Sequence, residues 1–307
     1  MNILFITKNM SHYLGASYQI DFLNELSKNF NVFPYGPGYK NFSENKSINQ
    51  ISELFSKKFD LIIIGHTFLS DNSKNYESLI PNLDLKKNNN IPKIFILNKE
   101  YVNLKFKLNF IKENNFDLCI THHHDYKVYQ EYTNTKFIFL PFAMNNEIFS
   151  KKDNIIKNFD IFFSGILQNT NKLANQNDTR VKIMKKFFIT FLDLPIYKRS
   201  DYKNFNIFWN SIPRNKIQSI INQNLLRRKR LSFENYALTM LKSKIVINTL
   251  SPLKLISPRY FESMASRAIV LCEESSIYKK IINEDFLITF KSNLENFDYK
   301  LQKAKEL

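Results

Sequence analysis

Short apolar runs alternate with amphipathic stretches along the first half of the chain. Residues 2–7 (NILFIT) predict a buried strand. Residues 16–30 follow, with Ile20, Leu23, Leu26 and Phe30 on one helical face. Residues 31–35 predict a second strand, closed by Gly36-Pro37-Gly38, and Ile48, Ile51, Leu54 and Phe55 mark the next helix. Residues 60–64 (DLIII) run as a strand into Gly65-His66, and residues 93–97 (KIFIL) form another after Pro92. A helix over roughly 101–114, a strand at 117–121 running into three histidines, and a strand at 136–140 closed by Pro141 complete this half. Fully apolar strands separated by helices predict a parallel sheet covered on both faces.

Residues 144–157 (MNNEIFSKKDNIIK) are polar and read as a connector, after which the pattern restarts. Strands are expected at 160–164 (ending at Gly165), 244–250, 268–273 and 286–290. Helices are expected at 179–192, 233–241, 260–266 and from Ser275. The expected fold class is α/β, with two tandem Rossmann-like doubly wound domains: 1–143, a linker at 144–157, and 158–307. Average glycine usage of about 7% would give roughly twenty glycines; the chain has five, all just after predicted strands. Gly36 and Gly38, beside Pro37, read as turn glycines. Gly15 and Gly165, each in the loop after its domain's first strand, sit where backbone must approach a ligand.

Composition adds a compartment and an asymmetry. At 307 residues, 44% hydrophobic and 15% aromatic, the chain is not disordered. No apolar run reaches the ~20 residues of a membrane helix, and residues 1–7 lack the features of a signal peptide. Cys119 and Cys272 lie in separate apolar runs, as buried thiols of a reducing, cytoplasmic compartment would. The net charge is +16, yet residues 1–150 carry 16 Lys against 14 acids, while residues 151–307 carry 28 Lys and Arg against 14. Residues 179–231 hold 13 basic residues against Asp193 and Asp201. The second half is thus expected to meet an anion.

The segment 236–275 carries the best candidate chemistry. Its strand ends in a polar loop, and Pro258 and Arg259 then open a helix bearing Glu262. A helix start offers free N–H groups and partial positive charge, and Arg259 adds a bidentate fork, which together suit a diphosphate. Glu262, three residues on, lies on the same face and could accept from the vicinal hydroxyls of a ribose. A surface Arg–Glu ion pair is the plainer alternative. There is no G-x-G-x-x-G and no P-loop, which leaves dinucleotide or ATP-hydrolase readings without their phosphate cradle.

Residues 259–271 (RYFESMASRAIVL) resemble the nucleotide-sugar segment of GT-B glycosyltransferases, in particular the group 1-like and spore-coat CgeB-like branch. Residues 160–165 followed by Arg180 look like that family's first donor-domain strand and the basic helix after it. Residues 137–149 look like its last acceptor-domain strand and hinge. The resemblance covers about half the chain. It implies two domains facing a cleft, and transfer of a sugar from a nucleoside-diphosphate sugar to an acceptor hydroxyl in surface glycan or glycolipid synthesis. The donor would be held by Gly15, Gly165, Arg180, Lys182, Lys254, Arg259 and Glu262. Two departures stand out. The usual glycine after the Met-Ala pair is Arg267, and Lys254 stands eight residues before Glu262, where many retaining members carry an acid. Retaining stereochemistry is therefore not carried over, and Lys254 is assigned to donor phosphate.

Glu100 and His66, at strand ends in the first domain, are the catalytic candidates for activating the acceptor hydroxyl. His122, His123 and His124 are poor metal ligands as a set, because neighbours on an extended chain point to opposite sides. No Asp-x-Asp occurs, so neither metal nor cofactor is expected, and side chains and the helix dipole would meet the donor charge. The expected partners are a nucleotide sugar and a glycan or glycolipid acceptor, with residues 179–231 free to touch an anionic membrane on its inner face. The competing reading is a basic nucleic-acid-binding protein, suggested by residues 227–230 (RRKR) but lacking any recognised binding motif.

Overall fold

A computed structural model describes residues 1–11, 17–68, 83–87, 90–150, 155–167, 178–187, 198–202, 204–213 and 231–307. The chain divides into two compact units, Met1–Phe142 and Ala143–Leu307. Among the described residues, no helix is long and apolar enough to cross a membrane.

The first unit runs β1 (Asn2–Ile6), α1 (Ser17–Asn29), β2 (Asn31–Tyr35), α2 (Ile48–Phe55), β3 (Leu61–Ile64), β4 (Lys93–Leu97), α3 (Leu104–Glu113), β5 (Leu118–Thr121), α4 (Lys127–Thr133) and β6 (Lys136–Phe139). Its six strands pair parallel in the order β2-β1-β3-β4-β5-β6. Alternation within each strand fills both faces. Leu4, Ile6, Ile62, Ile64, Phe95 and Leu97 enter one core, while Ile3, Phe5, Ile63 and Ile96 meet Phe22, Leu23 and Leu26 of α1 on the other side. Gly65 is required by packing: a Cβ there would come within 2.6 Å of the Phe5 ring. Lys93, the one charge in the KIFIL run, is buried because its ammonium donates to the carbonyls of Leu85 (3.2 Å) and Asn114 (3.1 Å).

The second unit runs α5 (Asn146–Phe149), β7 (Phe159–Leu167), α6 (Thr179–Lys186), β8 (Lys198–Tyr202), β9 (Phe205–Pro213), α7 (Phe233–Leu241), β10 (Ser243–Asn248), α8 (Pro258–Ala265), β11 (Ile269–Glu273), α9 (Tyr278–Ile281), β12 (Leu287–Phe290) and α10 (Phe297–Glu306). Its strand order is β12-β11-β10-β7-β9-β8, parallel apart from the edge pair β8–β9. The stretch 144–157, read from the sequence as a linker, contributes to this unit. Phe149 is buried against Phe233 and Tyr236, and Lys157 donates to the Ser266 carbonyl at 3.0 Å.

Sequence reasoning missed β8 and β9. The run FNIFW at 205–209 carried the signal: its alternate residues Phe205, Ile207 and Trp209 are buried in one core, and Trp209 stacks on Phe163 with ring centroids 4.1 Å apart. Pairing with β9 also corrects the expected end of β7. That strand continues through Gly165 to Leu167, with Gly165 opposite Ser211, so Gly165 lies inside a strand rather than after one. Cys119 and Cys272 are buried free thiols.

Helix α8 ends on Arg267, an exposed residue in left-handed backbone (φ 51°). Its N–H bonds to the Met264 carbonyl at 3.0 Å, closing the helix in the way a glycine at this position usually does. The departure from the resembling family's glycine therefore has a local cost of about 1 kcal/mol. Arg267→Gly is expected to raise stability by roughly 0.5–1 kcal/mol in urea unfolding, while Arg267→Ala leaves it nearly unchanged.

Candidate functional site

In the second sheet the parallel order reverses direction between β7 and β10, so connections leave to opposite faces at that point. Ligands of open parallel sheets bind beyond the strand ends at such a reversal. Four of the seven residues expected to hold a donor converge there. Arg180 enters from α6, second in a helix capped by Asp178, whose carboxylate accepts from the Arg180 N–H at 2.8 Å. The Arg180 Nε donates to Thr249 Oγ1, just past β10, at 2.6 Å. Arg259 enters from the first turn of α8. Its Nη1 lies beside Gly165 within β7, 3.4 Å from where a Cβ on that glycine would sit, an ordinary contact distance. The Arg259 Nε is buried without a hydrogen-bond partner. Burial and then the neighbouring Arg259 lower the Arg180 pKa to about 10, still well above neutral, so the Arg180 guanidinium is cationic. Two cations placed close together at a strand end, one with an unused buried donor, suit an anion with several oxygens.

Glu262 is buried one turn along α8. The hydroxyl of Tyr236 on α7 donates to its Oε2 at 2.6 Å. Burial, then the Glu262 carboxylate, raises the Tyr236 pKa well above its ordinary value, which keeps that hydroxyl a donor. Glu262 is therefore held by α7 rather than lying as an open surface ion pair. The side chain of Ser257, which precedes α8, makes no capping bond; Pro258 brings no N–H to the first turn, and the Tyr260 N–H bonds the Ser257 carbonyl at 3.2 Å.

Lys182 is two positions beyond Arg180, about 200° round the helix, and so on the opposite side. Lys254 is exposed in a turn where Leu253 and Lys254 both adopt left-handed backbone (φ 59° and 56°). Gly15 is outside the described residues. Sequence reasoning missed Glu273, Thr249 and Tyr236. Glu273 ends β11, is buried, and accepts from Thr179 Oγ1 (2.9 Å) and the Leu250 N–H (3.1 Å). A carboxylate closing an apolar strand (IVLCE) was the available signal.

In the first unit the strand ends carry a second cluster. His66 follows β3, Asn98 and Glu100 follow β4, and His122 follows β5. Glu100 is almost fully buried. Thr121 Oγ1 donates to its Oε1 at 2.8 Å, while Oε2 has no hydrogen-bond partner. Burial raises its pKa, against the opposing pull of local N–H groups, the Thr121 hydroxyl and the Lys107 ammonium. Lys107, itself buried, donates to the carbonyls of Asn98 (2.7 Å) and Lys99 (3.0 Å) and so holds the loop that carries Glu100. Asn98 Nδ2 reaches the Tyr18 hydroxyl (3.0 Å) and the His66 carbonyl (3.3 Å).

The His66 ring meets Tyr18 and Phe22 edge-on and lies parallel to His122 at 5.7 Å. His122 stacks on Phe142 at 3.9 Å, and its Nδ1 bonds the Leu140 carbonyl at 2.8 Å. That bond fixes the proton on Nδ1 and leaves Nε2 as a lone pair. His123 and His124 turn aside from His122, stacked on each other at 4.9 Å, with His124 paired to Asp125 at 2.8 Å. Among the described residues, no group of three or more His, Cys, Asp or Glu is placed to hold a metal ion.

No protein-family profile matches the chain, and no curated protein does. Solved structures share its fold. Anabaena Alr3699/HepE in complex with UDP-glucose superposes with a TM-score of 0.52 at 10% identity, over 99% of this chain and 93% of that one. The same protein with UDP and glucose gives 0.50 at 13% identity, over 99% and 93%. An alpha1,3-fucosyltransferase gives 0.49 at 11% identity, over 100% of this chain and 77% of that one. At such identities the likeness establishes the fold alone: α/β, with two Rossmann-like units in tandem, as in GT-B proteins.

The two buried histidines predict an acid sensitivity. Burial lowers His66 to about 3 and His122 to about 4, below the 6.5 of the unfolded chain. Below pH 6.5 the unfolded state takes up protons that the folded state refuses, so stability is lost as pH falls. By pH 5 the loss is on the order of 2 kcal/mol for each histidine. The unfolding temperature is expected to fall from pH 7 to pH 5, with a shallower slope in His66→Gln and His122→Gln.

Proposed function

We propose that the protein is a glycosyltransferase. It moves a sugar from a nucleoside-diphosphate sugar to an acceptor hydroxyl, in surface glycan or glycolipid synthesis, within the CgeB-like branch suggested by residues 259–271. The observation that carries this reading is the convergence of Arg180 and Arg259 at the reversal point of the second sheet, beside Gly165, with the Arg259 Nε buried and unused. The fold neighbour crystallised with UDP-glucose supports a nucleotide sugar as the partner.

In this reading the diphosphate lies on the two guanidinium groups and the opening of α8. As the bond from the anomeric carbon to the diphosphate oxygen breaks, negative charge grows on that oxygen. Preorganised cations in a partly desolvated site are worth several kcal/mol there. Glu262, oriented by Tyr236, accepts from the ribose hydroxyls, and Lys254 extends from its exposed turn toward the phosphates. Glu100 takes the proton of the acceptor hydroxyl as its oxygen bonds to the sugar; a carboxyl whose pKa is raised by burial is suited to that exchange. The neutral His66 lines the same strand ends. Transfer is assigned to side chains without a divalent ion, and the surplus basic charge of the second half supports an anionic acceptor or membrane surface. The nucleic-acid reading is not favoured, because Arg180 and Arg259 are withdrawn to strand ends rather than displayed on an open face.

A panel of nucleoside diphosphates and their sugars, read by thermal shift, tests the donor site. One member at a hundredfold excess over its Kd should stabilise by about 2.7 kcal/mol, or several degrees. Arg259→Ala should abolish that shift and Glu262→Ala should reduce it. Absence of any shift at millimolar concentration would refute the reading, and transfer that a chelator abolishes would refute metal independence. Glu100→Gln is expected to retain nucleotide affinity and lower kcat at least a hundredfold, measured by release of nucleoside diphosphate.

A further inference from the structure

Arg259 Nε is one of three buried polar atoms that the described part of the second unit leaves without a partner; the side-chain oxygens of Asn210 and Asn248 are the others. Register puts the two asparagines on one line. Asn210 of β9 stands opposite Ser164 of β7, and Asn248 of β10 lies two residues beyond Val246, whose partner in β7 is Phe162. Asn210, Ser164 and Asn248 thus form a polar rung across three neighbouring strands. Alternation turns it to the face of Phe162, Phe208 and Val246, a core that α7 covers with Ala237 and Met240.

Each asparagine is spent at one end only. Asn248 is fully enclosed and donates to Ser263 of α8 at 3.3 Å, which fastens that helix to the sheet. Asn210 donates to Ser164 Oγ at 3.1 Å, which fixes the plane of its carboxamide, and its oxygen meets no donor. A buried acceptor left without a donor costs about 1–3 kcal/mol, which a ligand bringing an N–H or O–H recovers.

Position indicates the ligand. From Phe205 to Trp209, β9 is flanked by β8; its pairing with β7 runs on through Asn210 to Pro213. Asn210 is thus the first residue of β9 past its β8 partner, toward the strand ends. Ser164, which it bonds, precedes Gly165, beside which Arg259 Nη1 lies. The rung shares its face with α7, the source of Tyr236, whose ring is 5.9 Å from Phe162 and whose hydroxyl holds Glu262. Arg180 comes instead from α6, whose Val181, Ile183 and Met184 pack on the opposite face. In the donor-site reading, a nucleotide with its phosphates on the arginines and its ribose on Glu262 turns its nucleoside toward the α7 face.

We propose that Asn210, held by Ser164, is a nucleoside-contacting residue of the second unit: its unspent side-chain oxygen accepts from an N–H or O–H of the nucleoside, and it has no part in holding the diphosphate. The assignment rests on the donor-site reading above and deepens it.

Calorimetric titration with inorganic pyrophosphate and with uridine, guanosine, adenosine and cytidine diphosphates separates a nucleoside contact from a structural one. Asn210→Leu keeps the branching at Cγ and deletes the unspent oxygen, and the half-buried Ser164 can turn to water. This variant is expected to bind the preferred nucleoside diphosphate roughly tenfold more weakly, the worth of one hydrogen bond, with pyrophosphate affinity unchanged. Without ligand it has lost a buried unpaired acceptor, so its unfolding temperature is expected to stay level or rise. Ser164→Ala lets the carboxamide turn and is expected to lower the preference for nucleoside diphosphate over pyrophosphate about threefold. An unchanged preference in Asn210→Leu, equal weakening of both ligands, or a fall of several degrees in its unfolding temperature overturns the assignment. Wild type that shows no preference between the two ligands overturns it as well. If Asn210→Leu does not fold, an unchanged preference in Ser164→Ala overturns it. Wild type that binds no nucleoside diphosphate defeats the donor-site reading, and the assignment with it. Binding that Arg259→Ala abolishes, alongside an unchanged preference in Asn210→Leu, defeats the assignment alone.

Discussion

Parallel pairing of strands that are apolar on both faces constrains everything else in this chain. Such a sheet must be covered by helices on each side, so its faces cannot host polar chemistry. The strand ends are where carbonyl and N–H groups leave the ladder, chain direction reverses, and helix starts point inward. In the second unit that reasoning leads to the β7–β10 boundary, and the polar side chains gather there: Arg180 and Thr249 from one side, Arg259 and Glu262 from the other. In the first unit the corresponding ends of β3, β4 and β5 carry His66, Glu100 and His122.

The two clusters differ in kind. The second unit's is cationic and incompletely satisfied, with Arg180 kept charged and a donor left over. The first unit's is close to neutral. Its imidazoles are held uncharged by burial, its carboxyl is pushed toward protonation, and its lysine is spent on backbone carbonyls. In the function proposed above, anion binding falls to the former and handling of a hydroxyl proton to the latter. The difference comes from what each group is buried against, and from place: one cluster sits at the β7–β10 reversal, the other across the ends of β3, β4 and β5.

Much of the fold was legible along the chain. Runs such as ILFI, LIII, KIFIL and KIVIN are long enough in apolar residues, and bounded clearly enough by turn residues, to be recognised as buried strands. The edge of the second sheet was not. The β8 strand is short, polar and antiparallel (KRSDY), and the FNIFW run lies amid basic residues that drew attention to charge instead. Arg259 and Glu262 stood out as candidates because a helix start after a polar loop has a chemical meaning of its own. Glu273 was not, because one carboxylate at the end of an apolar strand looks like a solvated terminus until the threonine and amide that bind it are seen. Lys182 looked equivalent to Arg180 in a basic run, yet helix geometry puts the two on opposite sides.

The amino-acid order alone determined the two-unit α/β plan, since the period and length of apolar runs dictate which segments are buried on both faces. It also determined that Pro258 and Arg259 open a helix after a polar loop, the segment the proposed function assigns to phosphate. Tertiary structure decided which of the many cations come together. Only packing brings Arg180 beside Arg259 and withdraws Arg180 from water. Proximity among residues some eighty positions apart is a property of strand order, which no local pattern encodes.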